Sequence, residues 1–429
     1  MWRRVRPQCH RPTSEKESKG EAMNKMSLIA AAAAVTLPAG SAFAQQVDVV
    51  HYWTSGSESS ALKVFADAFK ERGGTWVDNA VGGIDNARAA VLNRVAGGNP
   101  PAALLDNIGN MKLFAEQGIL SPLAPDVAKE IIAHTPQFLV QKMTVDGQIY
   151  AIPVDIGGNN WMWYSKKAFD DIGAEPPQTW DDFFSVAEDL KAKGYIPLAM
   201  GGQPWQEASL FYGVMLAQGR DFYKQVMVQH DRDAASGPDM VKTFETLRKL
   251  SGYVDEGSPG RNWNDATNLV ITDKAAIQIM GDWAKGEFLN AGLTPGKEFG
   301  CAMAPGTADS YMMVVDLFDF PKVSDPDAVA GQKLLEQVLA DKTLQADFSK
   351  VKGSLPARLD ADLSDADMCL QMGQKIMSDP DAPVPNYEFV MSADQEGQVA
   401  DLISNFWSSS DMSPGDATEQ FAEIVTAEE

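Results

Sequence analysis

VDVVHYWTSGSESSALKVFADAF, residues 47–69, reads as one strand–turn–helix unit. Val47 to Trp53 is short, apolar and β-branched, the character of a buried strand. It stops at Thr54-Ser55-Gly56, where Ser55 and Glu58 have the spacing of a capping box. The helix beyond carries Leu62, Phe65, Ala66 and Phe69 at i, i+3, i+4 and i+7, and Gly73-Gly74 ends it.

The pattern repeats outward. Trp76-Val77 opens a second strand, Asp85 to Val95 a helix, and Ala102 to Leu105 a third strand after the GGNPP stop at 97–101. Strands alternating with helices of this length imply βαβ units and a mostly parallel sheet, with the loops after the strands on one edge. A second unit follows Pro153. Its expected strands are Asn160–Ser165, Ile196–Met200, Ile277–Met280 and Met312–Phe318, with a helix capped by Thr179 and helices dominating from Glu207 to Leu250, over Val329–Leu339 and in the last seventy residues. No repeat of 20–50 residues is visible, which excludes a solenoid or propeller. The fold class is α/β, in two lobes without a Ser/Gly linker, so any hinge is made of element-terminal residues.

With 429 residues, 45% of them hydrophobic, the chain has the length and apolar content for two or more ordinary cores. Its 59 Asp+Glu against 36 Lys+Arg give a formal charge of −23, which argues against nucleic acid as a partner. MNKMSLIAAAAAVTLPAGSAFAQQ, from Met23, has a charged start, an apolar stretch over Ser27–Leu37 and an Ala42-Phe43-Ala44 cleavage signal. That apolar stretch is shorter than the roughly 20 residues a bilayer needs. It therefore reads as a signal peptide and the chain as periplasmic, with residues 1–22 an upstream extension. No Cys follows the cleavage point, as a lipid anchor would need. Two cysteines remain beyond residue 44, Cys301 and Cys369, which either pair or stay as isolated buried thiols. His51, His134 and His230 are far apart, and neither HExxH nor a Cys/His zinc pattern exists, so no metal or cofactor is expected.

Catalytic signatures are scarce: GxSxG, the phosphate-binding GxxxxGK[ST] and a strand-following GxGxxG are all missing. The acid pairs Asp170-Asp171 and Asp181-Asp182 are expected at helix starts, where negative charge suits the macrodipole. Ten tryptophans are more informative, several of them at strand ends or beside turns: Trp53, Trp161, Trp163, Trp205, Trp263 and Trp283. A sugar offers an apolar C–H face to a ring and hydroxyls to carboxylates, amides and ammonium groups. Trp53 with Glu58, Trp205 with Gln203 and Gln206, and Trp283 with Asp282 and Lys285 have that composition. Each of these rings has core packing as its plainer role.

VVHYWTSGSE (49–58), GGNPP (97–101), WMWYSK (161–166), TWDDF (179–183), GDWAKGEF (281–288), APGT (304–307), VVDLF (314–318) and KGSLPAR (352–358) run in order along nearly the whole chain after residue 44. In these segments the sequence resembles the maltose-binding-like periplasmic solute-binding proteins of ABC sugar importers, and among them the glucose/mannose-type binders. The resemblance implies two α/β lobes, each a mixed or parallel sheet flanked by helices, joined by three crossings with a monosaccharide held between. The expected lobes are 45–153 with 312–345 and 154–311 with 346–429. It also implies binding roles for Tyr52, Trp53, Glu58, Trp283, Asp316 and Lys352. Tyr52 stands where close glucose binders carry Trp, and LLDN after the Pro-Pro turn puts Asp106 and Asn107 at the edge. Trp205 joins the expected site through its Gln neighbours. Plainer roles stand beside these: Glu58 closing the capping box, Asp316 pairing locally and Lys352 lying on the surface. The implied partners are a small sugar and an inner-membrane ABC permease, with the protein a monomer. The competing classes are an exported glycoside hydrolase using Glu58 and Asp316 as paired carboxylates, and a surface lectin.

Overall fold

Ser55 accepts from the Glu58 backbone N–H while the Glu58 side chain accepts from Ser55 N–H, so the capping box that starts helix α1 (Gly56–Glu71) forms in full. The computed structural model describes residues 45–427; the signal-peptide reading lies outside them. Strands in chain order are β1 (Gln46–His51), β2 (Thr75–Ala80), β3 (Ala103–Asp106), β4 (Thr144–Val145), β5 (Gln148–Ile149), β6 (Ala151–Pro153), β7 (Asp155–Gly158) and β8 (Trp161–Ser165). They continue as β9 (Ile196–Leu198), β10 (Ala275–Ile279), β11 (Phe299–Met303), β12 (Tyr311–Val314), β13 (Leu317–Asp319), β14 (Leu355–Pro356) and β15 (Pro383–Pro385).

The first sheet has the order β2-β1-β3-β13-β6. β1 pairs in parallel with β2 and β3, whereas β13 runs antiparallel between β3 and β6. Flanked on both sides, β1 buries Val47, Val49 and Val50 completely or nearly so, as its apolar run requires. A second sheet, β11-β8-β10-β9, and a third, β14-β7-β12-β15, complete the framework with the small β4-β5 hairpin. The sheets are mixed, and there are three large ones where two were expected. One apolar core spreads from the first sheet to the stacked rings of Trp161, Trp163, Phe288 and Phe299. The other fills the space among helices Pro204–Leu216, Pro238–Leu250, Ala393–Ser408 and Pro414–Val425.

The expected single strand Met312–Phe318 is two strands in two sheets. β12 belongs with β7, β13 belongs with β3, and the chain changes sheets at Val315-Asp316. It passes between the first and third sheets twice more. The first passage is at Val154, between β6 and β7, and the third is at Gly353-Ser354, between helix Lys342–Lys352 and β14. The expected lobe boundary before Met312 therefore falls inside the third sheet. Gly353 takes φ +112°, and a Cβ there would sit 2.4 Å from the Asp282 carbonyl oxygen, so this passage requires glycine.

Thr179 and Asp182 form a second capping box, which puts Asp181-Asp182 in a first helical turn. Asp170-Asp171 sits instead near the end of helix Lys166–Ile172, where Asp171 pairs with Lys167 one turn back. Local pairing outweighs the macrodipole there. Cys301 on β11 and Cys369 in helix Met368–Met377 are bonded, with Cα atoms 6.0 Å apart. Among the described residues, no helix is long and apolar enough to cross a membrane.

Candidate functional site

The three passages between sheets converge on a buried polar knot. Val154 N–H donates to the Asp316 carbonyl (3.0 Å), and Asp316 N–H donates to Asp155 Oδ1 (3.1 Å). Ser354, on the third passage, donates its hydroxyl to Asp155 Oδ2 (2.7 Å). The Asp316 side chain then reaches outward. Its Oδ1 accepts from the Tyr52 hydroxyl and its Oδ2 faces Lys352 Nζ at 3.3 Å.

Burial opposes the charge on Lys352, but Asp316, Asp155 and Glu58 outweigh it and hold the ammonium above its usual range. Burial, then the Asp316 charge, raises the Tyr52 hydroxyl well above the ordinary tyrosine value. Asp155 is pushed well up by burial and by Asp316. Burial thus works against the charge of every group in the knot, and the surrounding carboxylates keep the Lys352 ammonium charged in spite of it.

Glu58 is 8% exposed and faces this group through the charge of Lys352. One of its oxygens is engaged at the helix cap, accepting from Thr54 and Ser55 N–H at 3.1 Å each. Burial raises its pKa, while Lys352 and the Ser55 N–H pull it back.

Trp53 is placed differently from the expectation. It is 1% exposed, stacked on Phe348 (ring centroids 5.5 Å apart) and edge-on to Phe318, with Lys352 Nζ 3.9 Å from the ring centroid. A ring so enclosed packs as a core residue and seats the ammonium. Trp283 remains partly exposed at the N-terminus of helix Ala284–Asn290, its ring lying over Gly281 and near Gly157. Beside Trp53, Tyr52 presents the polar group on the β1 side. Trp205 is half-buried and donates its Nε1–H to Gln203 Oε1 (3.2 Å), as does Gln206 through Nε2 (2.9 Å).

Asp106 ends β3 fully buried, with Oδ1 accepting from Arg88 Nε (3.0 Å) and Asn107 N–H (2.8 Å). Burial lifts its pKa to about 6 against the pull of Arg88. Asn107 caps α3 (Ile108–Glu116) by accepting from Asn110 N–H. Facing Arg88 and Asp316 is Glu388, which accepts from Val315 N–H (3.1 Å) and whose pKa burial raises well above normal. Asp282 accepts from Gly158 N–H and the Tyr311 hydroxyl, both at 2.8 Å, and burial lifts it to about 7.

Four residues of this region escaped sequence reasoning as site members: Arg88, Asp155, Asp282 and Glu388. Asp155 carried a usable signal, an acid set between Val154 and Ile156-Gly157-Gly158 in an otherwise apolar strand. Asp282 was visible only as a neighbour of Trp283. Glu388 had none, because its partner Val315 is remote in sequence, and Arg88 read as an ordinary charged residue of a helix. Among the described residues, Asp106 Oδ2, Asp282 Oδ1 and the buried Asn159 Oδ1 lack a hydrogen-bond partner. All three are acceptors when the acids are ionised. Among the described residues, no group of three or more His, Cys, Asp or Glu side chains is placed to hold a metal ion.

Mixed sheets flanked by helices, with three chain passages meeting at one polar seam, define a two-lobed solute-binding fold. The chain belongs to the bacterial extracellular solute-binding protein family, whose pattern it matches over residues 53–342. It is 39% identical over 361 residues to a "probable sugar-binding periplasmic protein" of Rhizobium meliloti (strain 1021), covering 83% of this chain and 87% of that one. A protein so described from Brucella melitensis biotype 1 is 40% identical over 338 residues, 78% of this chain and 79% of its own. The solved structure of a chitin oligosaccharide binding protein aligns with a TM-score of 0.74 over 89% of this chain and 98% of that one, at 19% identity, a likeness of fold. Family membership makes the chain a binding protein and not an enzyme, which removes the hydrolase alternative.

Proposed function

We propose that this protein is the periplasmic receptor of an ABC-type sugar importer, which binds one monosaccharide of glucose/mannose type and delivers it to an inner-membrane permease. The observation that carries this reading is the Tyr52–Asp316–Lys352 group, built where all three passages meet, in a chain about 40% identical to proteins described as sugar-binding. A neutral sugar suits it: its hydroxyls donate to Asp316, Asp106 and Asp282 and accept from Lys352 and Arg88, while Trp283 covers a C–H face. The surplus of carboxylates disfavours anionic sugars.

The lobes we propose are 45–153 with the segment from Asp316 through Lys352, and the remainder of the described chain. Sugar touching both favours the closed form by its differential affinity, a population shift with no reaction. The protein acts as a monomer and needs no cofactor. A melting-temperature screen of hexoses, pentoses, polyols, disaccharides and uronic acids tests the reading. Stabilisation by a neutral hexose, without a comparable effect of its uronate, is the expected result. Stabilisation by disaccharides alone refutes the monosaccharide assignment, and silence toward every carbohydrate refutes the receptor.

A further inference from the structure

Asp155 is buried with both carboxylate oxygens already engaged within the protein, and those bonds run to two other passages of the chain. It lies on the first, accepts the Asp316 N–H of the second and accepts the Ser354 hydroxyl of the third. Two side chains that the receptor reading assigns to the ligand, Asp316 and Lys352, flank these same tie points. Asp316 offers its backbone inward to Asp155 and its carboxylate outward to Tyr52 and Lys352. Lys352 stands two residues before Ser354, across the glycine that the close approach of Asp282 imposes. Backbone pairing of β7 with β14 and β12 keeps the strands adjacent, and one backbone bond, from Val154 N–H to the Asp316 carbonyl, joins the first passage to the second; the Asp155 carboxylate adds the tie to the third.

We propose that Asp155 is a positioning residue of the binding site: its carboxylate locks the three passages to one another and so sets where Asp316 and Lys352 stand when the halves close on a ligand. The inference rests on the receptor reading above and adds to it a residue that never touches the sugar. A loose tie leaves both contacting groups intact but misaligned in the closed form. Its removal should therefore speed ligand departure more than it slows ligand arrival, because most changes within one interface fall on the off-rate.

Stopped-flow fluorescence with the neutral hexose found by the melting screen tests this on the full chain. Asp155→Ala should raise the off-rate about tenfold with an on-rate within about twofold of wild type. Asp155→Asn should restore most of the loss, since its amide oxygen still accepts from Asp316 N–H and its amide nitrogen donates to the Ser354 oxygen. Wild-type rates in a folded Asp155→Ala variant overturn the proposal, as does a folded Asp155→Asn variant as impaired as Asp155→Ala. If Asp155→Ala does not fold, Ser354→Ala, which removes one of the two ties, should raise the off-rate about threefold, and an unchanged off-rate there is the contrary result. Failure of the receptor reading shows separately, as wild-type protein that binds no sugar.

Discussion

Trp53 and Trp283 hold matching places, each just beyond a strand and shortly before a helix, and the fold gives them opposite fates. Trp53 is sealed between Phe348 and Phe318 under the Lys352 ammonium, whereas Trp283 keeps part of its ring exposed beside Gly281 and Gly157. The difference lies in what returns to cover them. Helix Lys342–Lys352 packs against α1 and brings Phe348 and Lys352 onto Trp53, while the ring of Trp283 meets two glycines that have no side chains to bury it. An indole at a strand end becomes core or platform according to the size of its distant neighbours.

That contrast sets the order of expected effects. Trp53→Ala should cost about 3–5 kcal/mol of stability, the range for emptying a fully packed aromatic site, measured by denaturant unfolding. Lys352→Met should cost a similar amount, about 3–5 kcal/mol, because it leaves Asp316 without its buried counter-charge, and sugar binding should go with it. A smaller loss in either variant would mean that the β1 side is looser than its packing implies. Reducing the Cys301–Cys369 bond, which spans 68 residues, should lower stability by about 2–4 kcal/mol in a scanning calorimeter.

A pH effect sharpens the comparison on the polar side. Burial holds Asp106 at about 6 and Asp282 at about 7, above the roughly 4 of an unfolded aspartate. The folded form therefore binds extra protons between those values, so these groups lose stabilising effect as pH rises from about 4 to about 7. Asp282→Asn should flatten that decline in melting temperature, and an unaltered slope would remove Asp282 from it. Trp283→Ala should perturb the fold least, within about 1 kcal/mol, yet abolish sugar-dependent quenching of fluorescence. Retained affinity would exclude Trp283 from the site.

Much of the framework was legible because its signals are local. The Ser55–Glu58 box, the i, i+3, i+4, i+7 face of α1 and the glycine stops need only neighbouring residues, and they set β1, α1 and the start of α2 (Ile84–Ala96) nearly where expected. The run Met312–Phe318 misled because apolar continuity says nothing about a change of sheet at Val315-Asp316. Site residues split the same way. Tyr52, Asp316 and Lys352, each named through the family resemblance, meet in the fold, and Asp155 joins them through a bond spanning 161 residues of sequence. Trp53 was misplaced for the same reason, since its covering ring belongs to a helix far along the chain.

Small-angle scattering of the purified protein, with and without its sugar, tests the lobed receptor most directly. A radius of gyration that shrinks on saturation is the predicted result. Superimposable profiles, with binding confirmed in the same sample, would contradict closure of two halves around the ligand.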